Sequence, residues 1–326
     1  MGLPANNAFG TGTRIAACVA MAALEAHCNL AVAQALITRP IVAEKVSPLE
    51  TVHPVAHDGY EGLAILRKPP GTGPFPAVVL IHGGLATLSL DRLRTYVMDE
   101  ALPSRFLAAG YVVASITYRS RNEDLQSQVS RDDSIAAVRY LQSLSYVDEQ
   151  SVGVYGCSGG GDLVLAVAAE QPVAAVIAEE PASMMFTGVW NNAWPKAGER
   201  YTPFDSQPVY KNARQYYTEE FQRLTKAKIS RIRSPIFIIQ GDVETPLPVN
   251  DFNRDVLLPE LRSAGRTLEV TTYSGGPHCF AMLRTAPGSA SQALMAFQNA
   301  EIFLRRYVTA KPIPIDPRLV ESVVVD

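Results

Sequence analysis

The segment from Gly156 to Gly161 carries a specific chemical signal. It reads Gly-Cys-Ser-Gly-Gly-Gly and follows the apolar run Ser151–Tyr155, which has the composition of a buried strand. A serine in a G-x-S-x-G pattern between a strand and a helix lies in a tight turn with its hydroxyl exposed, because the flanking glycines carry no side chains. We therefore expect Ser158 to act as a nucleophile. The N–H of Gly159, at the start of the helix, is expected to face the developing oxyanion.

A serine hydroxyl needs a general base, and the base needs an acid that orients it. Among the five histidines, only His278 lies on a loop after the last predicted strand, where the sequence reads Gly275-Gly276-Pro277-His278. Two carboxylates, Asp242 and Glu244, follow the strand before it. The order of serine, acid and histidine predicts acyl transfer through a covalent acyl-enzyme, with either carboxylate as the acid.

A second donor to the oxyanion is expected from the segment Ile81-His82-Gly83-Gly84, which follows the first buried aliphatic run. The N–H of Gly84 is the favoured candidate, and the N–H of Leu85 is the alternative. We interpret His82 as a residue that orders this loop rather than as a base.

The elements that position these segments follow an alternating rhythm of strands and helices. Such a rhythm predicts right-handed crossovers and a mainly parallel sheet with helices on both faces. The predicted strands are Ala77–Ile81, Tyr111–Ile116, Ser151–Tyr155, Val173–Ala178, Pro235–Gln240 and Leu268–Tyr273. Residues 181–232 break the rhythm and contain Trp190 and Trp194, so we interpret them as a short aromatic insertion that partly caps the carboxyl edge of the sheet.

The N-terminal region has the layout of a secretory signal peptide. Arg14 precedes the apolar run Ile15–Leu24, and small residues at positions 31, 33 and 35 offer cleavage sites. This predicts a leader at residues 1–35, a hydrolytic domain at residues 36–326, and a secreted or periplasmic protein with no membrane span in its mature form. The alternative is an N-terminal helix of the domain itself, in which case the protein is cytoplasmic.

The composition argues against several classes of partner. With 29 Lys and Arg against 32 Asp and Glu, the net charge of −3 gives no basic field for nucleic acid. The sequence shows no zinc-type spacing of His, Cys and carboxylates. The run Gly159–Gly161 is not followed by the Lys-Ser/Thr pair of a phosphate loop. We therefore predict neither a metal nor a cofactor, and a small-molecule ester as the substrate.

These motifs resemble the α/β-hydrolase superfamily, and within it the dienelactone hydrolase and prolyl oligopeptidase group, over roughly residues 50–308. The resemblance implies an α/β-hydrolase fold and a catalytic triad of Ser158, Glu244 and His278. Glu244 is favoured because the acid of this group stands three residues after the glycine that ends the strand. This position usually holds Asp, so Asp242 stays as the alternative acid. The group's nucleophile in dienelactone hydrolases is a cysteine, whereas this chain has Ser158 at the elbow.

The dipeptides Cys157-Ser158 and His278-Cys279 are similar to a pattern in tannases and fungal feruloyl esterases. In those enzymes a disulfide joins the nucleophile loop to the base loop, so the resemblance implies a bond between Cys157 and Cys279. Export would allow it chemically, and the alternative is two buried thiols.

The sequence as a whole predicts a serine carboxylesterase. Trp190 and Trp194 are candidates for lining the substrate pocket, or for forming the core of the cap. Two other functions stay open: a peptidase or amidase of the prolyl oligopeptidase-like group, and a catalytically inactive binding protein with a hydrolase fold.

Overall fold

A computed structural model describes residues 47–84, 87–119, 128–189, 207–243, 248–282 and 290–316. Several sequence predictions fall outside these ranges: the leader at residues 1–35, Leu85, Glu244, Trp190 and Trp194.

Eight strands form one sheet within the described residues, in the order β1-β2-β4-β3-β5-β6-β7-β8. The strands are β1 (Glu50–Val52), β2 (Leu63–Arg67), β3 (Phe75–Ile81), β4 (Val112–Thr117), β5 (Val147–Cys157), β6 (Val176–Glu179), β7 (Ile236–Gly241) and β8 (Leu268–Tyr273). The β1–β2 and β2–β4 pairs are antiparallel, and all later pairs are parallel. The mostly parallel sheet expected from the sequence is therefore confirmed.

The helices of the described ranges connect these strands. They are α1 (Leu90–Asp99), α2 (Ala101–Ala108), α3 (Gln128–Ser143), α4 (Gly159–Glu170), α5 (Met184–Thr187), α6 (Gln207–Lys211), α7 (Ala213–Tyr216), α8 (Glu219–Ile229), α9 (Val249–Phe252), a π-helical turn (Asn253–Leu257), α10 (Leu258–Ser263) and α11 (Ala290–Tyr307). No helix in these ranges combines the length and the apolar character that crossing a membrane requires.

The central strands are buried on both faces, as strand β3 illustrates. All seven of its residues are buried, and successive side chains point to opposite faces of the sheet. Val79 belongs to the apolar core that includes side chains of α3 and α4, whereas Val78 belongs to the core that includes side chains of α2 and α11. The two cores fix the sheet between helical layers, and the loops at its carboxyl edge carry the chemical motifs.

Helices α1 and α2 are separated at Glu100. Glu100 has an extended backbone (φ −89°, ψ 135°), and its N–H closes α1 by donating to the carbonyl of Tyr96. The new helix α2 begins at Ala101 and has Pro103 in its first turn, where the missing N–H of proline is tolerated. A Pro in the middle of one continuous helix would have removed an internal hydrogen bond, which explains the break.

Candidate active site

Ser158 lies at the sharp turn between β5 and α4. Its backbone has φ 53° and ψ −117°, a conformation that is strained for a residue with a side chain. A Cβ at Gly156 would lie 2.2 Å from the carbonyl oxygen of Gly160, and a Cβ at Gly160 would lie 2.2 Å from that of Ile81. The two glycines are therefore required by the close approach of three backbone segments. This is the strand–turn–helix arrangement that the sequence predicts for a nucleophile elbow.

The loop after β3 runs directly beside the serine. A Cβ at Gly83 would lie 3.3 Å from Cβ of Ser158, and Gly84 has φ +80°, which favours glycine. The hydroxyl of Tyr118 donates to the carbonyl oxygens of Gly84 at 2.8 Å and His82 at 3.2 Å. These two bonds fix the peptide groups on either side of the Gly83–Gly84 peptide, whose N–H is the predicted oxyanion donor.

His82 is buried inside this loop. Its ring stacks on Tyr118 at 4.6 Å between centroids, and Nδ1 lies 2.7 Å from the carbonyl oxygen of Gly83. A carbonyl only accepts, so Nδ1 carries the proton and Nε2 is left to accept from the Thr117 hydroxyl at 3.4 Å. Burial lowers the pKa of His82 to about 4, which keeps the ring neutral. The contacts agree with its predicted role in ordering the loop.

His278 lies in the turn that follows β8, and the disulfide places it next to the serine segment. The structure joins Cys157 and Cys279, the pair expected from the sequence, with Cα atoms 5.8 Å apart and a sequence separation of 122. A ring nitrogen of His278 lies within 4.8 Å of both sulfur atoms. The residue before Ser158 and the residue after His278 are therefore covalently linked.

The carboxylate beside His278 belongs to Glu180, which directly follows β6. Its Oε2 lies 3.1 Å from Nδ1 of the imidazole, and 3% of the Glu180 side chain is exposed. The imidazole and the carboxylate are in contact here without an aligned hydrogen bond at Nδ1. The N–H of Gly241 and Nδ2 of Asn250 donate to Oε1 at 3.0 and 2.9 Å, and the N–H of Cys279 donates to Oε2 at 2.6 Å.

These contacts determine the ionisation of Glu180. Burial alone would raise its pKa, but the adjacent imidazole of His278, together with the donors Asn250 and Cys279, holds the pKa below its usual value. The site therefore holds a carboxylate that stays ionised at neutral pH. This is the form that fixes a histidine tautomer and stabilises an imidazolium.

The position of Glu180 adds a candidate acid that the sequence-based hypothesis did not include. The sequence predicted the acid after β7, as Glu244 or Asp242. Glu244 lies outside the described residues, and Oδ1 of Asp242 accepts the N–H of Gly275 at 2.6 Å. Among the described residues, the carboxylate in contact with His278 comes from the end of β6, one strand earlier. A signal was present: Glu179-Glu180-Pro181 places two acidic residues at the end of a buried strand, where charge is costly without a role.

The described part of the site offers no ready place for a metal ion. Among the described residues, one group of His, Cys and acidic side chains is close enough to share an ion: Cys157, His278 and Cys279. The two sulfur atoms are bonded to each other, so they do not offer thiolate ligands.

Comparison with known proteins identifies the family to which this chain belongs. Residues 106–302, more than half of the chain, match the model of the prolyl oligopeptidase family. The chain is 25% identical over 241 residues to 2,6-dihydropseudooxynicotine hydrolase of Paenarthrobacter nicotinovorans, covering 73% of this chain and 61% of that protein. It is 28% identical over 140 residues to a Penicillium rubens protein described as "Probable dipeptidyl-aminopeptidase B", covering 39% of this chain and 15% of the other. The chain thus spans less than two thirds of either relative.

Among solved structures, the esterase of Pyrobaculum calidifontis is similar in fold. It has a TM-score of 0.54 and 17% identity, over 86% of this chain and 90% of the esterase. The similarity confirms the α/β-hydrolase fold predicted from the sequence.

Proposed function

The chain belongs to the prolyl oligopeptidase family of α/β-hydrolases, and on this premise we propose that it is a serine hydrolase that cleaves carboxylic esters. One observation carries the proposal: the strained Ser158 elbow lies next to a segment in which His278 contacts the buried carboxylate of Glu180. Such a constellation suits nucleophilic attack on a carbonyl carbon.

In the proposed reaction, Oγ of Ser158 attacks the ester carbonyl carbon and its proton passes to Nε2 of His278. Glu180 faces Nδ1 and stabilises the imidazolium that forms. The carbonyl oxygen becomes an oxyanion that accepts hydrogen bonds from the N–H groups of Gly159 and Gly84. The alcohol leaves with the proton from His278. Water then attacks the carbonyl carbon of the acyl-enzyme, and His278 takes its proton. The bond to Oγ of Ser158 breaks, His278 returns the proton to Oγ, and the carboxylic acid is released.

Ester cleavage is preferred over peptide cleavage on the strength of the relatives. The chain matches 15% of the relative named as an aminopeptidase, whereas it covers 90% of the esterase with a similar fold. Amide cleavage depends more strongly on protonation of the leaving group by the general acid, because an amine is a poorer leaving group than an alcohol. Peptidase activity remains the second candidate because the family model is that of a peptidase family.

A labelling experiment tests this proposal. Wild type should react with a fluorophosphonate probe and hydrolyse p-nitrophenyl esters, and Ser158→Ala should do neither. Ser143→Ala is the matched control, because Ser143 is exposed on α3 and its hydroxyl bonds only the nearby carbonyl of Tyr140. Absence of labelling in wild type would favour a binding protein without catalysis. Faster turnover of peptide p-nitroanilides than of esters would favour the peptidase.

We also propose that residues 1–35 are removed on export and that the mature protein is secreted or periplasmic. The support is the leader-like layout of the sequence together with the Cys157–Cys279 disulfide, since such bonds persist in oxidising compartments. N-terminal sequencing of protein from the native host should begin near residue 36. An intact start at Met1 in cytoplasmic protein would overturn this assignment.

A further inference from the structure

Glu179 is a fully buried carboxyl group that the proposed reaction does not use, and it contacts both halves of the site. Its main-chain carbonyl accepts the N–H of Ser158 at 2.9 Å. Its Oε1 accepts the N–H of Ala281 at 2.7 Å. Its Oε2 accepts the N–H of Met282 at 3.1 Å and the hydroxyl of Tyr155 at 2.8 Å. One residue therefore binds the nucleophile through its backbone and the histidine loop through its side chain.

The two N–H groups that Glu179 binds lie three and four residues after His278, in the same turn. The neighbouring Glu180 binds a third N–H of this turn, that of Cys279. Cys279 itself has φ 61°, so the turn is not held by favourable backbone geometry alone. The two adjacent glutamates thus have different contacts: Glu180 faces the imidazole and Cys279, and Glu179 faces the backbone of the next turn.

Glu179 can keep its contacts with Ala281, Met282 and Tyr155 whether its carboxyl group is protonated or ionised. Burial raises the pKa of Glu179 to about 8, so the carboxyl holds a proton at neutral pH. A protonated carboxyl keeps lone pairs for the N–H groups of Ala281 and Met282, and its own proton can be donated to the oxygen of Tyr155. A glutamine at this position cannot keep both bonds. In either orientation of its amide, the NH₂ group faces the N–H of Ala281 or that of Met282.

We propose that Glu179 is a positioning residue: it holds the turn that carries His278, so that the imidazole lies within reach of the Ser158 hydroxyl. This inference rests on the proposed function, because it assigns His278 the role of base. A base displaced by about 1 Å loses about 100-fold in rate, so the contacts that fix the turn bear directly on turnover.

The experiment compares Glu179→Gln with Tyr155→Phe in the full chain. Both variants remove a buried hydrogen bond at the same carboxyl, but only Glu179→Gln disturbs the bonds to the histidine turn. We expect kcat for a p-nitrophenyl ester, per site titrated with a fluorophosphonate, to fall by about 10- to 100-fold in Glu179→Gln with little change in KM. Tyr155→Phe should stay close to wild type. Hydrogen exchange should accelerate at Cys279–Met282 in Glu179→Gln only.

Two outcomes would overturn the proposal: a wild-type kcat per titrated site in Glu179→Gln, or equal losses of kcat in both variants. If Glu179→Gln does not fold, Glu179→Asp serves with the same readouts, since it retracts the carboxylate by one methylene group. If wild type is not labelled at all, the proposed function fails. Hydrogen exchange then still decides whether Glu179 holds the turn, and unchanged exchange in Glu179→Gln would refute this.

Discussion

Glu180 and His278 meet across the end of an intervening strand: Glu180 follows β6, His278 follows β8, and Oε2 of the glutamate lies 3.1 Å from Nδ1 of the histidine. Strand β7 lies between them and supplies the N–H of Gly241 to the same carboxylate. The long Glu side chain, starting from a backbone with φ 41°, spans this distance. The carboxylate therefore reaches the end of β7, where the sequence predicted that an acid of the β7 loop would lie.

The first prediction concerns this acid. Glu180→Gln removes the charge that stabilises the imidazolium and presents an NH₂ group to an N–H donor, so we expect kcat to fall on the order of 10³- to 10⁴-fold. Steady-state kinetics with an activated ester measures the loss. Asp242→Asn and Glu244→Gln are the matched controls and should keep turnover close to wild type. Loss of activity in Glu244→Gln with full activity in Glu180→Gln would return the role of acid to the β7 loop.

The sequence was sufficient for the parts of the site that depend on local backbone geometry. The turn at Ser158 requires glycines at positions 156 and 160, and the G-x-S-x-G pattern in the sequence shows this requirement directly. Local patterns also predicted the strands, because buried parallel strands are continuous apolar runs.

Sequence reasoning did not single out Glu180 as a candidate acid, because its contact with His278 depends on distances across the sheet. The predicted strand ended at Ala178, whereas β6 runs to Glu179 and presents Glu180 at the carboxyl edge. Whether a carboxylate at the end of β6 or one after β7 reaches His278 depends on side-chain length and loop path, which sequence spacing does not specify. The contacts of Asn250 and Glu179 join residues that are 70 or more positions apart, so spacing along the chain does not predict the partners.

The second prediction concerns stability and pH at Asp162, which is fully buried in the first turn of α4 and accepts the N–H groups of Ser183, Met185 and Phe186. Burial raises its pKa from 3.8 to about 7. Between these values the folded state holds a proton that the unfolded state has released. The stabilisation is therefore complete below the unfolded pKa and is lost as the pH rises to about 7.

We accordingly expect the free energy of unfolding to decrease with rising pH by up to about 1.4 kcal/mol per pH unit from this group. Urea denaturation at several pH values between 5 and 8 measures the slope. Asp162→Asn should lower stability overall and flatten the slope relative to wild type. Because Glu179 and Glu180 also have shifted pKa values, the difference between the two slopes is the informative quantity. Identical slopes in wild type and Asp162→Asn would contradict the prediction.

The third prediction concerns the disulfide. Closing a loop of 122 residues stabilises the fold by about 4–5 kcal/mol in the chain-entropy account, and it also holds the neighbours of Ser158 and His278 together. Reduction with a phosphine, or the double variant Cys157→Ser/Cys279→Ser, should lower both the unfolding free energy and kcat. Chain processed near residue 35 should show no free thiol when denatured without reductant. Two titratable thiols in that material would refute the bond.

The fourth prediction concerns the loop beside Ser158. Tyr118→Phe removes the hydroxyl that binds the carbonyl oxygens of His82 and Gly84, and so loosens the peptide group proposed to bind the oxyanion. We expect kcat to fall by about 10- to 100-fold with KM largely retained, because an oxyanion donor acts mainly in the transition state. Stability should fall by about 1–2 kcal/mol for the lost hydrogen bonds.

Tyr111→Phe is the control for this variant. Its hydroxyl is also buried and donates to Glu301 at 3.4 Å, but it does not bind the loop beside Ser158. It should reduce stability by a similar amount and leave kcat unchanged. A loss of kcat in Tyr118→Phe that matches the loss in Tyr111→Phe would show that reduced stability, rather than the orientation of the Gly83–Gly84 peptide, limits turnover.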